Sequence, residues 1–326
     1  MSTAEALPLV SVIIPCRTTT PELDQCLDAL HRLVYPNFEV LVITDEPASD
    51  GRDSVRYLAS GAVGPADKRD QGARESRGTI LAFIDDDAYP DGQWLRKAVE
   101  VFADPQVAAV GGPGVTPPED SFLARASGWI SSSYLGGGVQ RYRFIPEKAR
   151  WVDDYPSMNF LVRRSAFEKA GGFGTHFFPG EDTKLCLAIV NDGGKIRYDP
   201  GVLVYHHRRN LIVPHLRQIA QYGIHRGHFA RIYPRTSRRL NYALPSLFLV
   251  GLILGPLISL AAPPLWFVYV AAVALYGVAL ALSGAEVAVR SRSLAMGVVT
   301  ALGIALTHLV YGGAFIKGFA ARSLER

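Results

Sequence analysis

Over the first two thirds of the chain, short β-branched runs alternate with amphipathic stretches; three long apolar blocks follow. Leu9–Ile14, closed by Pro15, has the pattern of a buried strand. Leu23, Leu27, Leu30 and Leu33 then recur at helical spacing. Phe38–Ile43 predicts a second buried strand, ending at Thr44 and Asp45, and after a polar loop a helix is expected near Gln71–Arg77. Thr79–Ile84 predicts a third strand running straight into Asp85-Asp86-Asp87. Trp94–Phe102 reads as a helix and Val107–Val110 as a strand. Gly111-Gly-Pro-Gly114, Met158-Asn-Phe160 and Gly171-Gly-Phe-Gly174 show no regular period. Gly180-Glu-Asp-Thr183 opens an apolar helix through Val190, and Ile196–Tyr198 and Val202–Tyr205 read as short closing strands.

Strands alternating with helices imply an α/β, Rossmann-like domain with a mostly parallel sheet covered on both faces. In such sheets ligands bind beyond the carboxyl ends of the strands. Asp45 and the Asp85–Asp87 cluster both fall at such ends.

The apolar blocks, 244–262, 264–283 and 294–316, are each about as long as the roughly 17–25 residues needed to cross a bilayer core. From Leu244 to Ile316 the only charges are Glu286, Arg290 and Arg292. Three parts are therefore expected: a catalytic domain over 1–205, a basic interfacial helical segment over 206–242, and a transmembrane region over 243–326. The net charge of +4 is small, but eight arginines and no acidic residue lie between Tyr205 and Asn241. Beside an apolar block, such a stripe points to anionic headgroups or a phosphorylated lipid rather than to nucleic acid, with Arg208, Arg209, Arg217 and Arg226 as candidates. The stripe, with Arg290 and Arg292, places the first domain in the cytoplasm by the positive-inside rule. Lys317, Arg322 and Arg326 conflict with three crossings, unless the last block lies in the interface or re-enters. The Leu7–Pro15 run is too short for a signal peptide and lacks a basic flank. Cys16, Cys26 and Cys186 have no spacing that suggests a disulfide framework or zinc site.

A strand ending in Asp-x-Asp turns alternate carboxylates to one side. Paired oxygen ligands of that kind suit Mg²⁺ or Mn²⁺, which can neutralise a departing diphosphate. With Ser11–Pro15, Glu39–Asp45, Phe83–Asp87, Asn159–Arg164 with Gly171-Gly-Phe173, and Gly180-Glu-Asp182 in this order, residues 8–230 resemble glycosyltransferase family 2 enzymes of GT-A fold. The resemblance implies a nucleotide-diphosphosugar donor bound by Pro15, Asp45, Arg69, Asp85, Asp86 and Asp87. It implies metal held by Asp85 and Asp87, an acceptor side at Asn159, Glu181 and Asp182, and Asp182 as general base of an inverting transfer. Thr44 and Glu46-Pro47 around Asp45 depart from the family pattern, as does Asp70 after Arg69. The Gln-x-x-Arg-Trp motif of processive members is missing, which favours single addition.

The bland alternative for Glu181 and Asp182 is that they favour the positive end of a following helix. His206 and His207 end the last strand, with His207 the further candidate metal ligand; a structural or membrane-surface role is its alternative. A dinucleotide-binding enzyme would want Gly-x-Gly-x-x-Gly where this chain has Pro15-Cys-Arg-Thr-Thr. The other rival is a non-catalytic membrane scaffold or lipid-handling protein. The expected function is transfer of a sugar from a nucleotide donor to a polyprenyl- or lipid-linked acceptor at the membrane.

Overall fold

A computed structural model of the chain describes residues 7–175 and 177–324; Arg326, counted above among the late basic residues, lies outside them. In chain order the elements are β1 (Val10–Pro15), α1 (Pro21–His31), β2 (Phe38–Thr44), β3 (Val55–Ala59), α2 (Pro65–Glu75), β4 (Ile80–Ile84), β5 (Ala88–Pro90) and α3 (Trp94–Phe102). There follow β6 (Val107–Gly111), β7 (Gly114–Val115), α4 (Phe122–Ser132), α5 (Tyr134–Gly137), β8 (Arg150–Val152), β9 (Asn159–Arg163), α6 (Arg164–Lys169) and α7 (Glu181–Asn191). The chain continues with β10 (Lys195–Tyr198), β11 (Val204–His206), α8 (Val213–Ile232), α9 (Pro234–Ser237), α10 (Leu240–Ala261), α11 (Leu265–Ser291) and α12 (Leu294–Ala320).

Two compact units form: Met1–Val115 with Ile145–His207, and Thr116–Phe144 with Arg208–Arg326. The first holds an eight-stranded sheet in the order β3-β2-β1-β4-β9-β6-β10-β8 and a small sheet, β5-β11-β7. In the large sheet β3, β2, β1 and β4 run parallel, as do β6 and β10. β9 runs antiparallel between β4 and β6, and β8 antiparallel on the edge. The sheet is α/β and mostly parallel, as the alternation implied. β1 and β4 are fully buried, which is why they read as unbroken apolar runs rather than alternating ones. Leu23, Cys26, Leu27 and Leu30 of α1 and Trp94, Leu95, Ala98 and Phe102 of α3 pack in the same core as β1 and β4.

The second unit is helical. α10, α11 and α12 are each long and apolar enough to cross a membrane. At about 1.5 Å per residue the shortest is about 33 Å long, against a hydrocarbon core of roughly 30 Å. The residues 116–144, expected within the catalytic domain, group with these helices, and the first unit ends at His207 rather than at 205.

Candidate active site

The site begins where β1, β2 and β4 end. α2 supplies three consecutive charged side chains to this edge, each with a different task. Lys68, buried, pairs with the Asp45 carboxylate and donates to the Cys16 carbonyl, tying the ends of β1 and β2 together. Arg69, only 3% exposed, donates to Asp85 Oδ1 at 2.6 Å and to Glu181 Oε1 at 3.0 Å. Asp70 accepts from the backbone N–H groups of Phe173 and Gly174 at 2.9 and 3.1 Å. That contact needs Gly172, whose φ is +68° and whose added Cβ would stand 2.7 Å from Asp70 Oδ1. The Phe173 ring so fixed lies under the Arg69 guanidinium, 5.5 Å from its centroid. The departure from the family pattern at Asp70 is thus a structural anchor for the Gly171–Gly174 turn.

Arg69 Nε is buried without a hydrogen-bond partner among the described residues, so the guanidinium hydrogen-bonds from its two terminal nitrogens to the two carboxylates. Glu181 is equally buried; burial pushes its carboxyl up, and Arg69 pulls it back toward the charged form. Its other oxygen accepts from Gly180 N–H at 3.0 Å. Asp182, the next residue in the first turn of α7, is half-buried and accepts from Thr183 N–H at 2.7 Å. Arg69 therefore joins the end of β4 to the start of α7, bringing Asp85 and the Glu181-Asp182 pair to one site.

Asp85, Asp87 and His206 form a second group, with ligand atoms all within 4.8 Å of one another. His206 Nε2 lies 3.0 Å from Asp87 Oδ1. β11 lies antiparallel on β5 with His206 opposite Ala88, which sets its side chain beside Asp87. Asp86, between the paired carboxylates, is pushed up to about 7 by its burial and then by Asp87 and Asp85. Two carboxylates and an imidazole are a donor set that suits a divalent cation, and clustered negative charge is what such a cation relieves.

Two expectations need correction. His207, the residue after β11, is not part of the group that Asp85, Asp87 and His206 form. Its Nε2 meets Gln25 Oε1 at 2.8 Å, and its ring packs against Tyr89, which also stacks on Tyr205. Asn159, expected on the acceptor side, is completely buried. Its amide donates to the carbonyls of Gly112 and Val202, both at 2.7 Å, and its oxygen accepts from Trp94 Nε1 at 2.9 Å. It is a core knot, and it leaves no polar atom for a ligand. Gly112 allows this crossing, since a Cβ there would fall 1.6 Å from the Val202 carbonyl oxygen. Pro15 ends β1 buried, beside the Cys16 carbonyl that Lys68 holds.

Of the arginines expected to meet lipid phosphate, Arg209 and Arg217 are exposed. Arg208 donates from Nε to Thr116 Oγ1 and lies over Phe144, and Arg226 lies over Tyr242 and donates to Ser237. Lys68 has no role in the reading from sequence, and of the two adjacent histidines it is His206, not the expected His207, that joins Asp85 and Asp87. The alternation of Tyr205 and His207 opposite Val204 and His206 was the available signal for the latter.

Residues 11–171 match the model of the family Glycosyl transferase family 2. A Pre-mycofactocin glycosyltransferase of Mycobacterium tuberculosis is 30% identical over 224 residues, covering 66% of this chain and 46% of that protein. Glycosyltransferase AglE of Haloferax volcanii is 27% identical, over 62% of this chain and 68% of its own. This chain spans about half the length of the first of these relatives. Among solved structures, the mannosyltransferase PcManGT from Pyrobaculum calidifontis, in complex with GDP-Man and Mn²⁺, superposes with a TM-score of 0.53. It is 20% identical, and the match covers 94% of this chain and 88% of that one. The segment 11–171 belongs to glycosyl transferase family 2, and the sheet unit has the GT-A fold.

Proposed function

We propose that the protein is a metal-dependent, inverting glycosyltransferase that moves a hexosyl group from a nucleotide-diphosphosugar to a lipid-linked acceptor. The observation that carries this reading is Arg69, which holds Asp85 and Glu181 together at the carboxyl end of the sheet and so brings Asp182 to the same edge. Asp85, Asp87 and His206 would hold a divalent cation, which supplies charge neutralisation for the diphosphate. Asp45, steadied by Lys68, stands at the end of β2 where the nucleobase of the donor would be read.

In the reaction the acceptor hydroxyl oxygen bonds to the anomeric carbon as the bond from that carbon to the diphosphate oxygen breaks. The hydroxyl proton passes to the Asp182 carboxylate, and the nucleoside diphosphate leaves with the electron pair. Asp182 follows Glu181, the carboxylate that pairs with Arg69, in the first turn of α7, and so stands at the same edge. The family relatives and a structural neighbour holding GDP-Man and Mn²⁺ support a sugar-nucleotide donor and a metal. Three long apolar helices and the arginine stripe support a membrane-bound acceptor and a catalytic unit on the cytoplasmic side.

The test is transfer from labelled UDP-, GDP- and dTDP-sugars into lipid extract, with and without Mn²⁺, for wild type and Asp182→Asn. Metal-dependent labelling of a lipid by one donor, lost in the variant while donor binding persists, is the expected outcome. Near-wild-type turnover by Asp182→Asn would remove that residue from the base role. Absence of labelling and of nucleotide binding would favour a scaffold.

A further inference from the structure

The third apolar helix is not placed as a third crossing would be. α10 and α11 form an antiparallel hairpin whose register is fixed by two contacts. Phe248 packs on Tyr276 with ring centroids 4.2 Å apart, and Gly255 admits the ring of Tyr269. Continuing that register, Gly284 of α11 is level with Leu240, where α10 begins. α12 meets α11 there, with Gly284 and Gly297 so close that a Cβ on Gly297 would stand 2.3 Å from the Gly284 carbonyl oxygen. Fifteen residues later Gly312 meets α10 at Pro245 and accepts a hydrogen bond from Ser246 Oγ at 3.0 Å. A helix running along the hairpin would have climbed about 22 Å in those residues, at about 1.5 Å each. Between those points His308 meets Tyr276, at the level of Phe248, so α12 climbs about 7.5 to 12 Å on the same rise. It is steeply tilted across the hairpin, in the half where α10 starts.

Its companion on that course is polar. From Thr307 to Ala321, α12 runs parallel to α8, and small residues keep the two in backbone contact. His215 Nε2 meets Thr307 Oγ1 at 3.0 Å, Gly223 faces Tyr311 and Ala314, Gly227 faces Phe315, and Gly318 faces Ile224. At the far end His228 and Arg231 reach the Ala321 carbonyl. α8 carries Arg217, Arg226 and Arg231 with three histidines. Were α12 to cross the bilayer, it would carry this helix into the hydrocarbon. Each arginine near the midplane costs about 3 kcal/mol or more, far beyond what the pairing of two helices recovers. The outer faces agree: α12 exposes one apolar stripe (Leu294, Val298, Leu302, Leu306, Leu309), and α8 exposes Ile212, Val213 and Tyr222 next to Arg217. An apolar stripe flanked by arginine is the surface of a helix lying in the headgroup layer.

We infer that α10 and α11 alone cross the bilayer, and that α12 lies beside α8 as a surface for the anionic headgroups of one leaflet, returning the chain to the side of α8. Lys317 and Arg322 then stand with Arg290, Arg292 and the arginine stripe on one side, and the conflict with the positive-inside rule disappears. The inference rests on the membrane reading given above and refines it.

Ser323→Cys, Gln221→Cys and Pro263→Cys variants of the full chain, in sealed vesicles of both orientations, are to be labelled with a membrane-impermeant maleimide. The native cysteines are buried and contribute little background. Ser323 and Gln221 are expected to label from one side and Pro263 from the other. A protease-cleavable tag after residue 326, cut from the Gln221 side, gives the same readout if labelling at 323 is weak. Labelling of Ser323, or cleavage of the tag, from the Pro263 side would establish three crossings and overturn the inference. Loss of wild type from carbonate-washed membranes would instead overturn the membrane reading itself.

Discussion

Arg69 shows how much a single buried side chain can decide. It is charged, buried, and bonded to carboxylates from two elements distant in sequence. Removing one partner of a buried ion pair strands the other and costs about 3–5 kcal/mol. Arg69→Met is therefore expected to lower the melting temperature sharply and abolish transfer. Adding Glu181→Gln to it should restore part of the stability, because the stranded charge is gone, but none of the activity. Strictly additive losses in that cycle, followed by scanning fluorimetry in detergent, would show that the pair is not coupled. Arg69→Lys keeps the charge but lacks a fork that reaches both carboxylates, so it should fold and transfer poorly. The adjacent histidines offer a sharper contrast. His206→Asn is expected to weaken Mn²⁺-induced thermal stabilisation and Mn²⁺-dependent turnover at least tenfold. His207→Asn, which disturbs the contacts with Gln25 and Tyr89, should leave the metal response near wild type. The reverse result would restore the reading drawn from sequence.

Elements with one dominant period were legible; those with mixed duties were not. β1, β2 and β4 are buried on both faces, and their apolar runs identified them and the acidic residues at their ends. β9 was read as irregular because Asn159 opens it and arginines close it, although its middle is as buried as β4. β3, at the sheet edge, has too few apolar positions to stand out from the polar loop. α2 was expected to start near Gln71 and in fact starts at Pro65, since its buried face is built from Lys68, Arg69 and small residues instead of an apolar stripe. α8 shows the same mixture, and it carries a prediction on pH. Burial, and then Arg208, lower the His215 pKa to about 4. Between about pH 6.5 and 4 the unfolded chain binds a proton that the folded chain refuses, so stability rises with pH across that window. The contribution of neutral His215 is whole above about 6.5, the unfolded value, and is lost as pH falls toward 4. The melting-temperature gap between wild type and His215→Gln should therefore narrow from pH 7 to pH 4.5. A gap that stays constant would mean that His215 is protonated in the folded state.

At the scale of the whole molecule, sequence averages concealed more than they told: a net charge of +4 and a mean hydropathy of +0.13 describe neither unit. What the sequence could not show was that residues 116–144 belong with the C-terminal helices, because that grouping rests on contacts distant along the chain, such as Ile130 against Gly303 and His308 against the Leu135 carbonyl. The basic stripe resolves in the same way. Arg208 and Arg226 are spent on internal contacts, whereas Arg209 and Arg217 remain exposed and free to act at a distance. A charged lipid acceptor in a bilayer would be drawn toward them by about 1 kcal/mol each, within a screening distance of roughly 8 Å at physiological salt and about 3 Å at 1 M. On the proposed function the apolar hairpin would hold the protein in the membrane whatever the salt, and the arginines would act on the acceptor and not on retention. In proteoliposomes the KM for a phosphorylated lipid acceptor is expected to rise several-fold between low and high salt, with little change in kcat or in donor KM. Arg209→Gln with Arg217→Gln should raise that KM at low salt to near its high-salt value and flatten the dependence. An unchanged slope in the double variant would assign the salt effect to other charges, and equal loss of donor hydrolysis would mean that the two arginines serve the fold and not the acceptor.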